Sequence, residues 1–167
     1  MSLTFIVGSA ADVFPQDLAR AVDAELRRRF AAPDTRETYE SDPVDASGWR
    51  LLQQRVLRTL DVAPQLTTID AYQAVYIPAD VEHVEHIPIA NAADPLQIGS
   101  LGALLAELRR FAAATSLPVD DVELMQLHVH YLEQEDPDTD LDVQTYIQLM
   151  LSAKQAVARG QALWVVV

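Results

Sequence analysis

The residue types best able to do chemistry in this chain are its four histidines, which fall into two short clusters. His128 and His130 flank a single residue, with Glu133 just beyond them. On a strand, alternate residues point to one side, and two imidazoles at that spacing can share a metal ion. On a helix the same two rings diverge by about 200° and the shared site disappears. His83 and His86 lie in the run Glu82-His83-Val84-Glu85-His86, where interleaved carboxylates suit a divalent transition metal. The zinc-protease pattern His-Glu-x-x-His does not fit them, because only Val84 and Glu85 stand between. No cofactor is expected; the alternative is a divalent transition metal at His83, His86, His128 and His130, which no feature of the sequence brings together.

A third candidate is the acidic run Asp136-Pro137-Asp138-Thr139-Asp140-Leu141-Asp142. Its alternating aspartates imitate the start of a calcium loop. That loop needs glycine at its sixth position and glutamate at its twelfth, where this chain has Leu141 and Ile147. Asp140 reads instead as the N-cap of a following helix, with its acidic neighbours at the positive end of that helix. Nucleophile elbows, Walker loops and dinucleotide-binding glycine patterns are absent, and the chain has no cysteine. Disulfides, thiolate metal sites and cysteine nucleophiles are thereby excluded.

Charge carries more information than any motif. Of the formal net charge of −13, residues 1–58 contribute about −1, with eight basic residues against nine acidic. Residues 59–167 contribute about −12, with four against sixteen. Such a surface repels nucleic-acid phosphates and anionic lipid, so neither nucleic acid nor membrane is expected as a partner. A basic protein is, through the acidic surface at Glu133, Glu135, Asp136, Asp138, Asp140 and Asp142; a homo-oligomer is a further option.

The elements that position these residues follow from periodicity. Half of the 167 residues are apolar, enough to fill the core of one globular domain spanning 1–167. Leu3 to Val7 reads as a buried strand, and Pro15 opens a helix over 15–31 whose Leu18, Val22, Leu26 and Phe30 face inward. Residues 32–46, with five carboxylates and two prolines, read as an exposed loop. Ser47 caps a helix carrying Trp49, Leu52, Val56 and Leu60, and residues 71–77 form a second buried strand. Residues 78–99 show no helical period and read as irregular, unless Ile87 to Ala90 hides a short strand. Ser100 caps a helix built on Leu101, Leu104, Leu105, Leu108 and Phe111.

Residues 122–133 fit two periods. Val122, Met125, Val129 and Leu132 make a helical stripe, whereas Met125, Leu127, Val129 and Tyr131 alternate as in a strand; the helical reading is preferred. A long helix follows over 141–158, with Val143, Tyr146, Ile147, Met150 and Val157 inward and Gly160 at its end. Leu163 to Val167 is a strand apolar on both faces, which must lie inside the sheet, beside Leu3 to Val7. The expected fold is α+β, a small sheet of N-terminal, central and C-terminal strands covered by about five helices, with a three-layer α/β arrangement as the alternative.

With neither a leader-like start nor a run of apolar residues long enough to span a bilayer, the expected location is the cytoplasm. The expected function is that of a non-enzymatic acidic protein-interaction module, such as an inhibitor or immunity-type protein. A small-molecule binder or metal-assisted enzyme with its site near residues 78–99 is the second reading, and a structural or oligomeric module the third.

Overall fold

The computed structural model describes residues 1–33 and 37–167. The part of the expected 32–46 loop at positions 34–36 lies outside the described residues. Seven strands form one mixed sheet in the order β2-β1-β7-β4-β6-β5, with β3 also paired to β1. They are β1 (Ser2–Gly8), β2 (Tyr39–Glu40), β3 (Val44–Asp45), β4 (Ala74–Ile77), β5 (Glu85–Ile87), β6 (Leu96–Ser100) and β7 (Ala162–Val166). The helices are α1 (Gln16–Leu26), α2 (Ser47–Thr59), the single turn α3 (Pro64–Thr67), α4 (Leu101–Thr115), α5 (Asp121–Leu132) and α6 (Leu141–Arg159). The fold is α+β, with helices packed on a sheet.

The C-terminal strand takes the position its composition demands. β7 lies between β1 and β4 and runs antiparallel to both, with Trp164 opposite Ile6 on one side and Val75 on the other. Its two faces feed two cores. Leu163 and Val165 join Leu3, Phe5, Val7 and Tyr76 beneath α2, α4 and α6. Trp164 points the opposite way, among Val22 and Leu26 of α1, Val75, Ile77 and Ile98. Its indole N–H is satisfied by the Gly8 carbonyl at 3.0 Å, and Phe14 meets its ring edge-on.

Several elements differ from the sequence reading. Residues 32–46 are not wholly loop: β2 and β3 pair with β1 through Tyr39–Val7 and Val44–Leu3 contacts. Residues 78–99 contain β5 and most of β6, and β6 runs parallel to β4 in the sheet interior. The strand is concealed in the sequence by Gln97 and Gly99. Both are explained by packing: the Gln97 amide holds the backbone of Asp70 and Tyr72, and a Cβ at Gly99 would meet Tyr76 at 2.7 Å and Ile69 at 2.9 Å. Helix α1 ends at Leu26, short of the expected residue 31.

Helix ends also depart from expectation. Ser47 is the first residue of α2 rather than its cap, and it donates its backbone N–H to Asp45, whose carboxyl is held below the usual range by the Ser47 hydroxyl and N–H. Asp140 occupies the N-cap position of α6 with a positive φ of 49°, but its side chain makes no cap bond. Val157 faces solvent. Gly160, by contrast, ends α6 in the left-handed conformation, as expected.

Helix α5 is the clearest departure. It is a helix, yet the stripe of Val122, Met125, Val129 and Leu132 points outward. The helix instead docks on the body of the protein through buried Leu124, with Leu127 and Tyr131 partly covered. Its sequence carries two apolar stripes, and tertiary packing uses the other one.

Candidate functional site

Nine of the sixteen acidic residues after residue 58 fall between Asp120 and Asp142, at the two ends of α5 and in its connection to α6. Asp120 caps α5, its carboxylate accepting the N–H groups of Val122 at 2.9 Å and Glu123 at 3.3 Å. Asp121 and Glu123 complete the acidic first turn, where the helix dipole favours them. Glu133, Glu135, Asp136, Asp138 and Asp140 follow at the other end, about 18 Å along the helix axis at 1.5 Å per residue. From residue 111 to residue 153 there is no lysine or arginine, while nine carboxylates fall between Asp120 and Asp142. The only cations that reach these carboxylates among the described residues come from outside that stretch, Lys154 to Asp121 and Arg55 to Asp142.

The carboxylates expected to form the binding surface are not equivalent. Glu133, Glu135 and Asp138 are exposed, and their side chains make no hydrogen bond or ion pair among the described residues. Asp136 accepts the Asp138 N–H at 3.1 Å and shapes the connection. Asp140 accepts the Tyr131 hydroxyl at 3.0 Å. The Tyr131 phenol is pushed up to about 12, by burial first and then by Asp140 and Asp142. Asp142 is half-buried and bound to Arg55 at 2.8 Å, the guanidinium also lying over the Phe111 ring. Asp142 thus contributes more to joining α2 and α6 than to the outer surface.

Sequence reasoning missed Asp42, Asp120, Asp121 and Glu123 as members of this edge. Asp42 lies far away in the chain, between β2 and β3, and reaches α5 through His128, whose Nε2 stands 2.7 Å from its carboxylate. The absence of cations over residues 111–153 was the signal available for the remainder. Asp121 pairs with Lys154, which also donates to the Val119 carbonyl and so ties the start of α5 to α6.

The histidines do not converge. His128 is mostly buried between Asp42 and Gln148. His130, two residues on along the helix, meets Gln134 at 2.8 Å on a different face. His83 and His86 are exposed near β5, His83 lying beside Glu82 at 3.9 Å. No group of three or more histidine, aspartate or glutamate side chains among the described residues is placed to hold a metal ion.

The region near residues 78–99 does border a cleft of about 600 Å³, lined by Trp49, Arg50, Asp70, Tyr72, His86 and Asp94 among others. Its polar base is already engaged: the Trp49 indole and the Gln53 amide donate to the Ile69 carbonyl, and Gln97 holds the neighbouring strand. No helix among the described residues is long and apolar enough to cross a membrane.

A family model described as "Putative DNA-mimic protein" matches residues 1–165. No curated protein and no solved structure matches the chain. The family match agrees with an acidic protein-interaction module and corrects the partner expectation. The charge balance alone sets nucleic acid aside and leaves a basic protein of any kind, or a second copy, as the expected partner. A family described as mimicking DNA overturns that expectation, because a surface that repels DNA is also what an imitation of DNA presents.

Proposed function

The chain belongs to the DNA-mimic family, and from that premise we propose that its acidic α5 edge stands in for a DNA backbone and occupies the DNA-binding surface of a partner protein. The observation that carries the reading is the set of nine carboxylates from Asp120 to Asp142, of which only Asp121 and Asp142 are ion-paired, joined by Asp42 from another part of the chain. A duplex carries about ten phosphates over the roughly 18 Å that α5 spans, against four carboxylates on α5 and its caps and five more from Glu135 to Asp142. Lysine and arginine groups arranged to meet phosphates can engage such a row, with long-range attraction setting the rate of encounter. Burial of the charges is not needed, because the partner's cations supply the counter-charge.

The rigidity of the edge supports the same reading. Asp120 is fixed by capping, Asp140 by Tyr131, Asp142 by Arg55 and Asp42 by His128. Carboxylates held in place by the fold bind a patterned array of cations with less ordering entropy lost than mobile side chains would.

The test uses the whole chain immobilised beside a variant carrying Glu123→Gln, Glu133→Gln, Glu135→Gln and Asp138→Asn. These four side chains make no structural bond among the described residues, so the fold is retained. Extract of the source cells is passed over both. The expected result is that DNA-binding proteins are retained by the wild type, released by added duplex DNA, and not retained by the variant. Retention of proteins that duplex DNA does not displace, or equal retention by the variant, would overturn the proposal.

A further inference from the structure

The acidic edge is not uniform, and its centre is apolar. Between the carboxylates at the two ends of α5 runs the outward stripe of Val122, Met125, Val129 and Leu132, on one helical face over about 15 Å. Val122 and Leu132 are 64% and 68% exposed, and Met125 and Val129 nearly half exposed. A surface helix ordinarily turns such residues inward, and α5 already has an inward set in Leu124, Leu127 and Tyr131. Asp121 and Gln126 edge the shallow recess formed by Val122, Met125 and Val129. The stripe is thus a second apolar face with charged ends.

The geometry points to a composite docking site on α5, whose occupant is an apolar ridge on the DNA-binding partner, flanked at both ends by that partner's basic residues. This inference rests on the DNA-mimic reading of the same edge. Charge complementarity selects the occupant. A second copy laid on this stripe, parallel or antiparallel, would bring Asp120, Asp121 and Glu123 or Glu133, Glu135 and Asp136 against carboxylates of its own kind, with Lys154, already bound to Asp121, the one cation at either end among the described residues. A partner with cations at the ends and an aliphatic ridge between them meets opposite charge at both ends and buries the stripe between. Real DNA offers no comparable apolar ridge on its backbone. The stripe therefore allows the partner to hold this protein by contacts that salt does not screen, and to prefer it over DNA when ionic strength rises.

Two helical peptides of equal charge test this, each with arginines at both ends, one carrying a leucine stripe on one face and the other glutamine at the same positions. Binding to the full chain is measured by fluorescence anisotropy across a salt series. The expected result is that the leucine peptide binds about tenfold tighter at high salt. That advantage should vanish in a chain carrying Val122→Gln, Met125→Gln and Leu132→Gln, whose substitutions keep good helix formers at exposed positions. Equal binding of the two peptides, both weakening with salt, overturns the composite site while leaving the acidic reading intact. Failure of both peptides to bind at low salt overturns the acidic reading as well. Sedimentation showing a dimer that the triple substitution dissolves also overturns it, since the stripe would then be covered by a second copy.

Discussion

Glu107→Gln probes the buried carboxylate that ties α3 to α4. The Glu107 carboxylate is 4% exposed and accepts the N–H groups of Gln65 at 3.0 Å and Leu66 at 2.9 Å, at the start of α3. Burial raises its pKa above the ordinary glutamate value, outweighing the two N–H donors and Arg110, which lower it. The folded state therefore holds the Glu107 proton more tightly than the unfolded chain does. The resulting stability is fully present below the ordinary glutamate pKa and is lost as pH rises through the raised one. Glutamine keeps one acceptor oxygen and turns an amide NH₂ toward the second backbone N–H. That leaves one buried donor unmatched, at a cost of about 1–3 kcal/mol. Glutamine does not titrate, so wild type should exceed the variant most in mild acid, with the gap narrowing toward neutral pH. Urea unfolding followed by fluorescence of buried Trp49 and Trp164 reads both quantities. A gap below about 0.5 kcal/mol throughout, or one that widens as pH rises, would refute the reasoning.

Other outcomes follow from the same geometry. Gly48→Ala places a methyl group 2.7 Å from the Leu141 carbonyl where α2 crosses α6, and calorimetry should show a melting temperature several degrees lower, the effect of roughly 1–3 kcal/mol of overpacking. Arg55→Gln removes the Asp142 ion pair and the contact with Phe111 at a half-buried site, and should lower the urea-derived stability by about 1 kcal/mol, less of it recovered by salt than for an exposed pair. Tyr131→Phe should abolish an ionisation near pH 12 in the ultraviolet titration and flatten the loss of stability above pH 10, because the raised phenol pKa stabilises the fold only while the proton is held.

What the sequence disclosed was set by how unambiguous each pattern was. Helix α4 carries one apolar stripe and a serine cap, and both appear as read, with Ser100 accepting the Ala103 N–H. The strand at Leu163 to Val166 is apolar on both faces, and only a central position covers both. Helix α5 carries two stripes, and periodicity identifies the helix without telling which stripe is buried; that choice depends on α6, whose surface the sequence does not display. β6 escaped notice because Gln97 and Gly99 break its apolar run for reasons visible only in three dimensions. The acidic edge was half legible: the run from Glu133 to Asp142 is contiguous, whereas Asp42 joins it from the other half of the chain. Charge alone separates what attracts DNA from what repels it, but does not separate a protein that avoids DNA from one that imitates it.

If the acidic edge imitates DNA, it and duplex DNA compete for one surface of the partner. With a DNA-binding protein recovered on the wild-type chain, its affinity for this protein is measured by titration calorimetry at rising concentrations of duplex DNA. Competition makes the apparent dissociation constant rise in proportion to the free duplex, with no species containing all three components. A ternary complex of partner, duplex and this chain, with the affinity for the chain unchanged by DNA, would contradict it.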